Sequence, residues 1–381
     1  MSSEPLCLYP SNWLYNAGVI GFLGLLESSE KDFSLEKDGK VKIERKILKE
    51  LGEEEENSPP LNRWQSVYIR QNHEYFLGEN VDNNFEVIKK LFSKGCIYQN
   101  LYNPKFFNEG KERFAEIFFK KELDKISGGQ NSNDSDQNSS QKCGVCFEKS
   151  YEVEPIKLSL MRFLFPTYKE FPNAYWQNEE RGVMQICVLC KFIITHHHLA
   201  FTRLSDGSEI FINAPSFESM WCLNKMVHEV FSGFSPARIR TKREVLGLSL
   251  IEYAMKIETT LGVWTGMNVE VVSRRKEKIE FFSLPYEVVQ LLMQREIASL
   301  LKRIGELSVL NLFLNKEFSR MMELGYNLLR IGAKSEIGNF EKGFLKDNLK
   351  LEKNQKKPQR VANQIFQLLA YVKENELNKG V

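Results

Sequence analysis

Residues 142–146 read KCGVC, and residues 185–192 read QICVLCKF. Each stretch holds two cysteines three positions apart, Cys143 with Cys146 and Cys187 with Cys190. A CxxC pair turns two thiols to one side of a tight knuckle, and two such knuckles supply the four soft ligands of a closed tetrahedral zinc site. The interval between the pairs is longer than a compact zinc finger uses, so the surrounding fold has to bring the knuckles together. The element, about residues 142–192, is then a clip between distant segments. Its zinc is structural, because four cysteine ligands leave no open position for chemistry. Redox work by one pair calls for a low-pKa cysteine in a thioredoxin-like setting, which KCGVC lacks. Unligated cysteines are the other alternative.

Directly before the first knuckle, residues 127–141 read SGGQNSNDSDQNSSQ without one apolar side chain. That composition predicts a mobile, disordered loop inserted into the domain. The whole chain is ordinary for a globular protein, with 381 residues, 42% hydrophobic and 27% charged. Its longest apolar runs fall short of the roughly 20 residues a membrane helix needs, so no membrane association is expected. The start, MSSEPLCLYP, lacks the basic and apolar regions of an export signal, and a cytoplasmic location is expected. In such a reducing compartment, CxxC pairs favour metal over disulfides. Cys7, Cys96 and Cys222 remain, and each reads as a small buried apolar residue.

Working outward, NWLYNAGVIGFLGLL at residues 12–26 reads as a buried helix, whose Ala17, Gly18 and Gly21 allow close backbone approach. GKVKIER at residues 39–45 alternates as a half-buried strand, and EEEENSPP at residues 53–60 reads as a solvated loop. Residues 84–126 read as helical, ending in Lys111 to Ile126, and Val245 to Thr260 reads the same way. HLAFTRLSDGSEIFIN predicts a hairpin turning at Asp206-Gly207. MNVEVVSRRKEKIEFFSL, residues 267–284, predicts a second whose tip carries Arg274, Arg275, Lys276 and Lys278. Beyond Pro285 the pattern is helical alone. One stripe runs from Val289 to Ile304, a second from Val309 through Met321, Met322, Leu328 and Leu329, and a third from Val361 to Val372. The expected fold class is therefore α+β. Residues 1–285 form a mixed N-terminal domain with strands, helices and the zinc-binding element, and residues 286–381 form a C-terminal helical bundle.

Catalytic parts are scarce. No phosphate-binding loop, no nucleophile elbow and no His-Asp doublet occurs, and His228-Glu229 has Ser232 where a zinc protease needs its second histidine. His196, His197 and His198 read as a polar strand edge near the knuckle, so no catalytic residue is expected. The net charge is only +2, so any attraction to nucleic acid must be local. Three basic clusters are candidates for nucleic-acid binding. They are Arg238, Arg240, Lys242 and Arg243; the hairpin tip with Arg274, Arg275, Lys276 and Lys278; and Lys356, Lys357 and Arg360 before the last helix. Taken singly, each also suits a solvated surface. Asn12 and Asn16 suit hydrogen bonding within the fold better than base reading.

The stretch Asn12 to Leu26, followed in order by CGVC and CVLC, resembles the large subunit of the type I-B CRISPR interference complex, Cascade, in its CXXC-CXXC family. The resemblance implies a protein that is not an enzyme and serves antiviral defence through DNA and RNA binding. Its expected partners are a CRISPR guide RNA, target double-stranded DNA, the Cascade backbone and small subunits, and a helicase-nuclease. Its expected work is flanking-motif recognition, duplex opening, strand binding and recruitment of the nuclease, while base pairing reads the target. Two rivals stand beside this reading. One is a stand-alone zinc-bearing nuclease using His196 and His198; the other is a zinc-ribbon DNA-binding protein that binds without guide RNA.

Overall fold

The computed structural model describes residues 5–55, 61–76, 83–92, 126, 141–147, 149–150, 153–157, 183–203, 208–232, 247, 269–275, 278–349 and 357–378. The chain is α+β and forms two compact units. The first comprises Met1–Arg203, Gly207–Trp221 and Arg274–Glu280, and the second Leu204–Asp206, Cys222–Ser273 and Phe281–Val381. The units therefore do not divide at residue 285. The chain passes from one to the other within the helix Phe217–Ser232 and within both strands of the second hairpin.

In the first unit, β1 (Leu6–Leu8) leads into helix α1 (Trp13–Ser28). Asn12 caps α1 by accepting from the Tyr15 amide at 3.1 Å, an ordinary N-cap. Nearly the whole circumference of α1 is buried, from Leu14 to Leu26 with Gly24 as an exception, as expected of a helix apolar on every side. Strands β2 (Ser34–Leu35) and β3 (Val41–Ile43) complete a three-stranded antiparallel sheet of order β1-β3-β2, with Leu6 opposite Ile43 and Leu8 opposite Val41. The strand expected at residues 39–45 is β3, and its Val41 and Ile43 face inward as the alternation requires. Helices α2 (Arg45–Leu51), α3 (Arg63–Tyr75) and α4 (Asn84–Phe92) follow, α3 opened by a capping box between Asn62 and Gln65.

Two short pairs carry the knuckles. They are β4 (Gln141–Lys142) with β5 (Lys149–Ser150), and β6 (Val153–Lys157) with β7 (Val183–Cys187), both antiparallel. Helix α5 (Val188–Ile194) and a 3-10 turn (His197–Ala200) continue from β7 and pack along α1. That packing uses the two glycines singled out in the sequence. A Cβ at Gly18 would lie 2.6 Å from the Ile193 carbonyl oxygen, and one at Gly21 only 2.0 Å from that of His196. The remaining strands are β8 (Thr202–Arg203), β9 (Glu209–Asn213), β10 (Glu270–Arg275) and β11 (Lys278–Ser283), with α6 (Phe217–Ser232) between β9 and β10. They form a sheet of order β11-β10-β9-β8, in which Thr202 pairs with Ile210 as the first predicted hairpin requires.

The second unit is more finely divided than the sequence suggests. The stripe from Val289 to Ile304 is two helices, α7 (Tyr286–Leu292) and α8 (Arg295–Ile304), and α8 stops at Gly305 in a left-handed cap with φ 63°. The next stripe is also two, α9 (Leu307–Leu314) and α10 (Phe318–Gly332), parted by Lys316 at φ 58°. This break resets the helical phase, so Met321, Leu324, Leu328 and Ile331 turn inward. Met322 and Leu329, expected in the apolar stripe, are instead 44% and 39% exposed. Helix α11 (Asn339–Asn348), which buries no residue, was not anticipated, and α12 (Lys357–Asn378) packs along α10 and α8. The readings for residues 56–60, 93–125, 127–140, the turn at Asp206-Gly207, and Val245 to Thr260 apart from Gly247 lie outside the described residues.

Candidate metal centre

Cys143 and Cys146 lie in the turn between β4 and β5, whose register sets Lys142 opposite Lys149. The Gly144 amide donates to the Gln185 carbonyl at 2.7 Å and docks this knuckle on β7. Cys187 ends β7 and caps α5, its Sγ accepting from the Cys190 amide at 3.4 Å. Cys143 Sγ accepts from the amides of Val145 at 3.4 Å and Cys187 at 3.3 Å, so one sulfur ties the knuckles together. All four Sγ atoms lie within 4.8 Å of one another, and the Cys146 and Cys187 sulfurs are 4.0 Å apart. The arrangement can bind a metal ion through four sulfurs, of which only Cys146 is not fully buried.

Sulfurs this close cannot all ionise unaided. Hydrogen bonds from Cys146, Cys187 and Cys190 hold the Cys143 thiol far below its ordinary range. The bonds to Cys143 and Cys146 in turn push Cys187 and Cys190 up. Tyr15, buried beside them, is raised well above the ordinary phenol value by burial first and then by the four sulfurs. A bound cation would remove this conflict, since it favours every thiolate at once.

The N-terminal segment supports the first knuckle directly. Ser11 Oγ donates to the Val145 carbonyl at 2.8 Å. Asn16, buried on α1, accepts from the Ser11 amide at 2.7 Å and donates to the Ser11 carbonyl and to Asn213 Oδ1, both at 2.9 Å. Asn12 and Asn16 therefore serve the fold, as expected. Ser11 and Asn213 carried no sequence signal, because their partners are 134 and 197 residues away.

The histidine expectation is overturned. His196, His197 and His198 are not on a strand edge; they follow α5 into the 3-10 turn and are completely buried. His196 Nδ1 donates to the Phe192 carbonyl at 2.9 Å, while its Nε2 has no hydrogen-bond partner among Phe22, Trp64, Tyr68 and Phe192. Burial pushes its pKa down to about 3 and takes His197 and His198 well below the ordinary value. The folded pKa is the lower one, so the unfolded chain binds more protons in acid. The stabilisation is complete above about pH 6.5 and is lost as pH falls towards 3. At pH 5, His196 alone costs about 2 kcal/mol relative to pH 7. Denaturant unfolding of His196→Phe should show a pH slope between 6 and 5 smaller by about 1.2 kcal/mol per unit. An unchanged slope would mean the ring is not buried.

Two of the expected nucleic-acid-binding cations are also corrected. Arg274 does not stand free at a hairpin tip; it is 7% exposed and its Nε donates to Glu209 Oε2 at 2.8 Å. Tyr75 donates to Glu209 Oε1 at 2.7 Å and accepts from Arg274 Nη2 at 2.9 Å, and the guanidinium lies 5.2 Å from the Phe201 ring centre. Burial acts to raise the Glu209 pKa, but Arg274 and Tyr75 outweigh it and hold the carboxyl below its usual range. Lys357 is enclosed in α12, its Nζ 3.2 Å from Glu306 Oε1. Arg360, on the same helix, is exposed. Arg275 and Lys278 lie on β10 and β11 with side chains outside the description. Arg238, Arg240, Lys242, Arg243, Lys276 and Lys356 lie outside the described residues altogether.

Cys7 and Cys222 are half-buried, not core residues, because each lies where its element meets solvent; Cys96 lies outside the described residues. Among the described residues, no helix is long and apolar enough to cross a membrane. Comparison of the chain with protein-family models, with curated proteins and with solved structures found no match in any of the three.

Proposed function

We propose that the four cysteines hold one structural zinc ion, and that the chain is the non-catalytic large subunit of a type I-B RNA-guided DNA surveillance complex in the cytoplasm. The metal reading is supported by the donor set: four mutually close sulfurs, three of them buried, with backbone amides aimed at two. Zinc suits such a set better than harder cations do. The subunit reading rests on the resemblance at Asn12 to Leu26 and the two CxxC pairs. One observation carries it further: both features belong to one substructure, since Ser11 at the head of α1 is bonded to the first knuckle. In this role the metal clip stiffens a scaffold. Arg360 and those basic residues that lie outside the description are the cations left to meet polynucleotide.

Co-expression of the tagged chain with guide RNA and the backbone and small subunits tests both parts. The expected particle contains guide RNA and one zinc per chain, and it engages flanked target DNA only when the chain is present. A chain that never joins the particle overturns the subunit reading. Metal-dependent cleavage by the isolated chain overturns the non-catalytic reading.

A further inference from the structure

We infer that Cys146 is a modification site, at which a peroxide-class oxidant converts the metal-holding cluster into a reversible disulfide between Cys146 and Cys187 and releases the ion. The inference rests on the metal reading above and adds its regulation. The four sulfurs are not equally shielded. Cys143 and Cys190 are 0% exposed and Cys187 is 8% exposed, while Cys146 is half-buried. The residue after it, Phe147, is 65% exposed, so the chain runs along the surface where this sulfur lies. An oxidant in solvent therefore reaches Cys146 first, and access is one of the two properties that decide which cysteine is oxidised.

The other property is thiolate character. A sulfur that coordinates a cation is held as the thiolate, so the metal keeps the one reachable cysteine of the cluster in its nucleophilic form. Cys143 is held differently, since it accepts the amides of Val145 at 3.4 Å and Cys187 at 3.3 Å and is fully enclosed. Cys7 and Cys222 are also half-buried, but they lie outside the cluster and lack the cation that activates Cys146.

The Cys146 thiolate attacks one oxygen of hydrogen peroxide. An S–O bond forms as the O–O bond breaks, and the departing hydroxide takes a proton to become water. The sulfur has lost two electrons and is now a sulfenic acid, a poor metal ligand. Cys187, whose Sγ lies 4.0 Å from that of Cys146, then attacks the oxidised sulfur. An S–S bond forms, the S–O bond breaks, and the hydroxide that leaves is protonated to a second water. Two thiolates, one peroxide and two protons thus give one disulfide and two waters. Only Cys143 and Cys190 remain as thiolates, half of a closed zinc set, so the ion is released. Cys146 belongs to one knuckle and Cys187 to the other, so the new bond keeps the knuckles together after the ion has gone. A dithiol reductant supplied with zinc then rebuilds the site. A disulfide within either CxxC pair would leave the knuckles untied.

Stoichiometric hydrogen peroxide added to the full, zinc-loaded chain tests it, with released zinc followed by a colorimetric chelator and disulfides mapped by peptide mass spectrometry. The expected result is loss of the one zinc per chain together with a linked peptide joining Cys146 to Cys187. Dithiol reduction with added zinc should restore the full zinc content. In the variant Cys7→Ser/Cys96→Ser/Cys222→Ser, which keeps the cluster alone, zinc should leave at the parent rate. Slower loss in that variant, a first disulfide in any other pair, or no recovery on reduction overturns the inference. A chain that holds one zinc and keeps it in peroxide also overturns it, with the metal reading intact. A chain that carries no zinc overturns the metal reading and the inference with it.

Discussion

Cys143→Ser is expected to cost the four-cysteine cluster its capacity to hold a metal and to leave the first unit unfolded. Cys143 is the sulfur with most to lose, because it accepts amides from its own knuckle and from Cys187 of the other. A serine oxygen is a poor zinc ligand, and the three remaining thiols stay in one buried cluster with less reason to ionise. Binding of structural zinc contributes about 10 kcal/mol or more to folding at neutral pH, comparable to the whole stability of an ordinary domain at about 5–15 kcal/mol. The expected result is a fall from one zinc per chain to none by elemental analysis, with the melting transition of the first unit lost. Chelation of the parent protein should reproduce the change. Cys7→Ser, outside the cluster, should keep both metal and melting temperature. A parent protein that carries no metal yet melts cooperatively and unchanged in Cys143→Ser would remove the clip from the account.

The four-cysteine cluster and the helix before it were legible because each depends on a local signal. CxxC spacing specifies a knuckle whatever surrounds it, and the apolar run from Leu14 to Leu26 can only be satisfied by burial on all sides. Asn12 and Asn16 were read correctly for a similar reason, since capping and turn bonds are made within a few residues. Arg274 and Lys357 were read as candidates for nucleic-acid binding because nothing near them in sequence shows their partners. Glu209 is 65 residues from Arg274, and burial of an ion pair is a property of the pair. The histidines failed on period. HHH between apolar residues fits a strand edge, yet α5 continues past Ile194 into a 3-10 turn, where all three rings are enclosed. In the helical region, apolar spacing carried across Met293-Gln294 and across the three polar residues Asn315–Glu317, which are too few to distinguish a break from a helix's solvent face, and no proline marks either place. Helix periodicity locates a face and does not reveal where its phase is reset.

Gly21→Ala and Gly24→Ala make the same chemical change one turn apart on α1, and they should move stability in opposite directions. At Gly24 an added Cβ meets nothing within 4 Å, so alanine gains helix propensity worth up to about 1 kcal/mol. At Gly21 the same carbon would lie 2.0 Å from the His196 carbonyl oxygen and 3.3 Å from Leu199 Cβ. A backbone oxygen cannot swing aside as a side chain can, so the whole of α1 must move away from the α5 turn. Overpacking commonly costs 1–3 kcal/mol. This case should exceed that range at about 4 kcal/mol, because the displaced helix buries residues on every face and shares the enclosure of His196. Moving α1 also pulls Ser11 from the Val145 carbonyl, so Gly21→Ala should release zinc to a chelator faster than the parent, and Gly24→Ala should not. Denaturant unfolding and a zinc-release time course measure the two effects separately. Equal stability of the variants would mean that α1 does not meet the turn through its glycines. A lost Gly21→Ala midpoint with unchanged zinc release would mean that the helix and the metal clip are not mechanically joined.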